Sequence, residues 1–135
     1  MLQMTAAHWH VITAHLEAQL PNEACGLLGG RGGVVEHVYL VENSLHSPVR
    51  YQMEPLAQIQ AMMAIDDAGL ELTAIFHSHP RGPAIPSPTD VAEAYYPETL
   101  YVIVSPNERN QWHSRAFYIQ NGQVSEVEMR VTPNL

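Results

Sequence analysis

Residues 70–80, LELTAIFHSHP, decide how the rest of the chain is read. From Leu70 to His79 apolar side chains fall on both alternating faces. That is the pattern of a strand buried on two sides, hence central in its sheet. Alternation also puts His77 and His79 on one face and Ser78 on the other, with the histidine Cα atoms roughly 6–7 Å apart. Pro80, Pro83 and Pro86 follow as a loop.

Upstream, Thr5 is suited to cap a first helix, with Trp9, Ile12, Leu16 and Leu20 at helical spacing and Pro21-Asn22 as its stop. Cys25 to Gly30 reads as a buried strand, Arg31-Gly32-Gly33 as a turn, and Val34 to Val41 as the return strand of a hairpin. Asn43 to Val49 is a loop and Tyr51 to Met53 a short strand. Pro55 opens a second helix with an apolar face of Leu56, Ile59, Met62, Met63 and Ile65, ended by Gly69. Downstream, Ser87-Pro88-Thr89-Asp90 opens a short third helix. Leu100 to Val104, Ser114 to Ile119 and Val124 to Val131 read as strands, the last two joined at Asn121-Gly122. Helices interspersed among hairpin-linked strands give a mixed α/β, α+β-like fold rather than a regular βαβ series.

The chain has 135 residues, which fits one domain over 1–135. No apolar run approaches the roughly 18 residues of a membrane span, so no membrane partner is expected. A net charge of −8 without a basic cluster argues against a nucleic-acid partner. No positive side chain precedes Arg31, so the n-region of a secretory signal is missing and a cytoplasmic location is expected. The one cysteine, Cys25, excludes an internal disulfide framework and a Cys-rich metal cluster. No glycine-rich loop of dinucleotide or P-loop type links a strand to a helix.

The chemistry concentrates after the central strand. Two imidazoles on one face can converge on a cation at about 2.0–2.1 Å, although a lone pair of histidines is more often explained by hydrogen bonding in a core. Asp90 offers an oxygen ligand eleven residues beyond His79. Ser87 and Asp90 also have an ordinary reading as a capping box with Pro88 at the first helical position. The readings are compatible, since a fixed helix start holds a ligand rigidly. Two imidazoles and a carboxylate leave a fourth tetrahedral position for water, the arrangement of a catalytic zinc site. Glu23, in the connection before the first strand, is either a surface carboxylate or the base that hydrolysis at zinc needs. Cys25 is either a nucleophile beside it or a buried thiol, and its apolar neighbours favour burial.

Glu23, then His77-Ser78-His79, seven residues, Ser87, two residues and Asp90, resembles the signature of the JAMM/MPN+ zinc metalloproteases. The flanking stretches PNEACGLLGG (residues 21–30) and AIFHSHP (residues 74–80) look like the bacterial branch. The resemblance runs from the first helix to about Val104. It implies an MPN/JAMM-like curved mixed sheet flanked by helices, and one zinc per chain held by His77, His79 and Asp90. It implies Glu23 as general base and then acid, with Ser87 helping to stabilise the oxyanion. The implied activity is hydrolysis of the isopeptide or peptide bond after the Gly-Gly tail of a ubiquitin-like or sulfur-carrier protein. The alternative is a non-catalytic protein-binding module of the same fold, but such modules typically lose a metal ligand. Other zinc scaffolds are removed by the absence of His-Glu-x-x-His and of Pro-Cys-x-x-Cys.

Overall fold

The computed structural model describes residues 1–133. In chain order the elements are β1 (Leu2–Thr5), α1 (Ala6–Gln19), β2 (Cys25–Arg31), β3 (Val34–Val41), α2 (Pro55–Asp67), β4 (Glu71–Ser78), α3 (Pro88–Ala92), β5 (Leu100–Pro106), β6 (Trp112–Gln120), β7 (Gln123–Val127) and β8 (Met129–Thr132). The strand read from LELTAIFHSHP is β4, and it does lie inside the sheet, whose order is β7-β6-β5-β4-β2-β3-β1-β8. β2 pairs antiparallel with both β3 and β4, whereas β4 and β5 are parallel. The β4–β5 crossover contains the proline loop and α3, so both emerge at the C-terminal end of β4.

Because β4 is buried on both faces, the sheet carries a core on each side. Ala74 and Phe76 point to the side of α1 and pack with Ile12, Leu16, Leu28 and Val102. Ile75 points to the side of α2 and packs with Leu27, Ile65, Ile103 and Phe117. His77 continues the second face, which is the one that carries the chemistry. A Cβ on Gly26 would run into the Phe76 ring and the Tyr39 carbonyl, so glycine lets β2 lie close to its neighbours where it crosses the site.

The structure departs from these expectations at four points. The strand expected over Val124 to Val131 breaks at Glu128: β7 is the edge beside β6, and β8 pairs with β1 at the opposite edge. One residue spans the two edges, so the sheet must curl until they meet, and Val127 and Met129 pack on the same core. β1 had no counterpart in the sequence reading, since its four residues pair with β8 at the far end of the chain. The apolar face of α2 is Ala61 and Ile65 with Ala57 and Met62 at its margin, while Leu56, Ile59 and Met63 are 61%, 55% and 58% exposed. Residues 51–53 contribute a single bridge, Met53 to Asn43, rather than a strand.

Candidate metal and active site

The parallel alignment of β4 with β5 fixes the first two side chains. His77 pairs in register with Ile103 and is buried. His79 lies just past the strand, where its N–H donates to the Val104 carbonyl at 2.9 Å. The chain then turns through the prolines into α3. Ser87 caps that helix: its Oγ accepts from the Asp90 N–H at 3.0 Å, and its own N–H donates to Asp90 Oδ2 at 2.9 Å. The capping box expected at Ser87–Asp90 is formed, and it leaves the Asp90 carboxylate beside both histidines. The cap holds the carboxylate with Oδ2 3.2 Å from His77 Nε2 and 3.1 Å from His79 Nε2, and the two nitrogens are 3.0 Å apart.

That triangle suits a cation. The His79 Nδ1–H donates to the Pro83 carbonyl at 2.8 Å, so in the neutral ring Nε2 is a lone pair. His77 Nδ1 is buried without a partner among the described residues, and burial pushes the His77 pKa down, towards the neutral ring. Two imidazole nitrogens and a carboxylate oxygen thus converge with too few protons to share. Their separations approach the ~3.3 Å edge of a tetrahedron with bonds of about 2.0–2.1 Å, the size of a zinc site. Burial disfavours the His79 cation, yet its hydrogen bonds to Asp90 and Pro83 raise its pKa. Burial likewise acts against the Asp90 carboxylate, but the bonds from His77, His79 and the Ser87 N–H hold it well below the usual carboxylate range.

Glu23 faces the same point from the connection that leads into β2. Its N–H donates to the Ser47 carbonyl at 2.8 Å and its carbonyl accepts from Asn43 Nδ2 at 3.0 Å. A carboxylate oxygen, the His77 nitrogen and the His79 nitrogen all lie within 4.8 Å of one another. Glu23 is 4% exposed, and burial pushes its pKa up to about 7, with attraction to His79 opposing and repulsion from Asp90 adding. A carboxyl poised there can exchange a proton near neutral pH. Being farther from the imidazoles than Asp90 is, Glu23 stands off from the triangle and leaves room between them.

Three residues that the sequence reading passed over hold this arrangement. Ser78, on the opposite face as alternation requires, accepts from the Ala24 N–H at 2.9 Å and donates its own N–H to the Ala24 carbonyl, pinning the neighbour of Glu23 to β4. Asn43 is buried and satisfies four groups at once, donating to the Glu23 and Arg50 carbonyls and accepting from the Leu45 and Gln52 N–H groups. Tyr51 stacks on His77 with ring centroids 4.5 Å apart. Only Ser78 carried a signal, its place between the two histidines. Cys25 is a buried thiol that donates to the Val41 carbonyl, and burial, with Glu23 adding, pushes its pKa up to about 12. It is no nucleophile at neutral pH.

A groove of about 380 Å³ leads to the site, walled by Glu23, Pro48, Val49, His79, Ile85 and Ser87. No helix among the described residues is long and apolar enough to cross a membrane.

Comparison with known proteins gives the family. A family profile described as prokaryotic homologs of the JAB domain matches residues 5–118. A probable TtuB-protein conjugate cleaving protease from Thermus thermophilus is 42% identical over 111 residues, 82% of this chain and 70% of the relative. A CysO-cysteine peptidase from Mycobacterium bovis is 33% identical over 124 residues, 90% of this chain and 85% of the relative. Among solved structures, a protein from Desulfitobacterium hafniense superposes with a TM-score of 0.88 at 37% identity, covering 100% of this chain and 95% of the other.

Proposed function

Because the chain belongs to the prokaryotic branch of the JAB family, whose JAMM signature its residues resemble, we propose that it is a zinc-dependent peptidase or isopeptidase. Its substrate is a ubiquitin-like or sulfur-carrier protein joined through a C-terminal Gly-Gly to an amine. The observation that carries this is the convergence of His77 Nε2, His79 Nε2 and Asp90 Oδ2 within 3.0–3.2 Å, faced by Glu23. The catalytic unit is a single domain over residues 1–135, and we assign it to the cytoplasm.

His77, His79 and Asp90 would hold the zinc, which when bound supplies Lewis-acid chemistry by polarising a carbonyl and acidifying a water. Glu23 takes the proton from the attacking water and returns it to the leaving amine as the C–N bond breaks. The products are a carrier carboxylate and a free amine. Ser87 Oγ accepts from the Asp90 N–H, so its own O–H remains free to donate to the oxyanion. Apart from Glu23, His79, Arg81 and Ser87, the groove is walled by apolar residues such as Pro48, Val49 and Ile85, against which glycine in the tail permits the closest backbone approach.

A paired assay tests the reading on zinc-loaded protein, using one carrier ending in Gly-Gly and the same carrier ending in Ala-Ala, each joined to a lysine peptide. Cleavage of the first alone is expected. Equal cleavage of both would remove the tail argument, and cleavage of neither would favour a protein-binding module.

A further inference from the structure

The two histidines would ligate the same metal, yet they are held in different ways. A metal-ligating histidine is normally oriented through its far nitrogen, which donates to a carboxylate, a carbonyl or a water and so fixes the rotation of the ring. His79 follows that rule, with Nδ1 donating to the Pro83 carbonyl at 2.8 Å. His77 does not. Its Nδ1 is buried and has no hydrogen-bond partner among the described residues. Directly across the sheet from it stand Cys25 on β2 and Ile103 on β5. The Cys25 thiol is turned to the Val41 carbonyl, and the Ile103 side chain has no acceptor to offer. Packing does not enclose the ring completely either, because His77 lines a cavity of about 220 Å³ shared with Tyr96, Tyr101 and Ile103.

What does bear on the ring is Tyr51, stacked on it with centroids 4.5 Å apart and planes 24° from parallel. Turning the imidazole about its Cβ–Cγ bond would drive one edge into the tyrosine ring and forfeit the stack. Tyr51 is itself held on both sides along the chain. The Asn43 carboxamide donates to the Arg50 carbonyl at 3.1 Å and accepts from the Gln52 N–H at 3.1 Å. Ser44 donates its N–H and its hydroxyl to the Gln52 carbonyl at 2.8 and 3.0 Å. The Arg50 guanidinium reaches Glu93 Oε1 at 2.7 Å, at the end of the helix that carries Asp90. The Tyr51 hydroxyl makes no hydrogen bond among the described residues, so the face of the ring is what this loop presents.

We propose that Tyr51 is a positioning residue of the metal site: its ring, stacked on His77 where other ligating histidines have a hydrogen bond at Nδ1, sets the imidazole so that Nε2 points at the metal. The proposal rests on the zinc site of the preceding section and adds to it a residue that touches neither metal nor substrate. Asn43 then serves both halves of the site, since the same carboxamide that holds the two neighbours of Tyr51 also donates to the Glu23 carbonyl at 3.0 Å.

Zinc alone is the probe. Chelator-stripped protein is titrated with zinc against a competing chelator, and urea unfolding of the metal-free protein is followed alongside. Tyr51→Leu keeps apolar bulk without the flat face and should weaken zinc binding by about 10–100-fold, the range for groups that orient a metal-ligating histidine. Tyr51→Phe keeps the face and should bind zinc as the parent does. A side chain that merely filled space would lower the urea midpoint of Tyr51→Leu and leave the zinc affinity of the folded protein unchanged, and that result overturns the proposal. Zinc binding as weak in Tyr51→Phe as in Tyr51→Leu overturns it too. Should Tyr51→Leu fail to fold, a crystal structure of the zinc-loaded parent decides. Tyr51 on the His77 ring with no acceptor at Nδ1 upholds the proposal, and a hydrogen bond from Nδ1 to a fixed acceptor, or a tyrosine swung off the ring, overturns it. A parent that takes up no zinc sinks the metal site and this proposal together, whereas zinc held equally by the parent and Tyr51→Leu sinks this proposal alone.

Discussion

Glu23→Gln should make the metal-free protein more stable at alkaline pH and leave it unchanged in acid. The Glu23 carboxylate is buried and accepts no hydrogen bond among the described residues, so its charge is held at a cost. Its ordinary value is 4.5 and burial raises it to about 7 in the folded chain. Below pH 4.5 the group is protonated in both states and contributes nothing. Between there and pH 7 the unfolded chain gives up the proton while the folded one retains it, so stability falls as pH rises. Above pH 7 the full penalty applies, up to about 3 kcal/mol at 1.36 kcal/mol per pH unit. Glutamine keeps the shape without the charge. Urea unfolding of chelator-treated protein should therefore give equal stabilities well below pH 4.5, at about pH 3, and at pH 8 a variant more stable by as much as that figure. A variant less stable than the parent at pH 8, or a difference independent of pH, would refute the argument. A carboxylate kept where it destabilises the fold is what the base role proposed for Glu23 would require.

Asp90→Ala removes one corner of the ligand triangle and part of the α3 cap; elemental analysis should find the zinc lost, and Asp90→Asn should separate the two effects by retaining shape with weakened binding. Ser87→Ala should lower turnover by up to roughly 10²–10³-fold if the hydroxyl donates to the oxyanion. It should also cost ~1 kcal/mol through the lost cap, read by denaturant unfolding. Cys25→Ala should leave hydrolysis intact, and iodoacetamide should not inhibit the folded enzyme. Inhibition by alkylation, absent from the alanine variant, would restore the nucleophile reading.

Much of the site was legible because its determinants are local. Two-residue alternation sets His77 and His79 on one face wherever the strand lies, and the Ser87–Asp90 spacing specifies a cap whatever surrounds it. Glu23 was recognisable only through the resemblance, since nothing in its neighbourhood reveals that β2 will pair with β4 and bring it opposite His79. Asn43 and Tyr51 were unreadable for the same reason: their partners are set by loop packing. The fold misses are equally physical. α2 carries apolar residues most of the way round, so periodicity could not tell its inner stripe of Ala61 and Ile65 from Leu56, Ile59 and Met63 outside. The break at Glu128 exists only because the sheet curls, and β1 only because β8 returns to meet it.

The central claim, hydrolysis dependent on a metal held by His77, His79 and Asp90, is tested most directly by one titration. Cleavage of a Gly-Gly-linked conjugate is followed in a single preparation as purified, after exhaustive chelation, and through stepwise return of zinc. The account predicts loss on chelation and recovery that saturates at one zinc per chain. Cleavage that survives complete removal of the metal, or that zinc fails to restore in protein still folded, would contradict it.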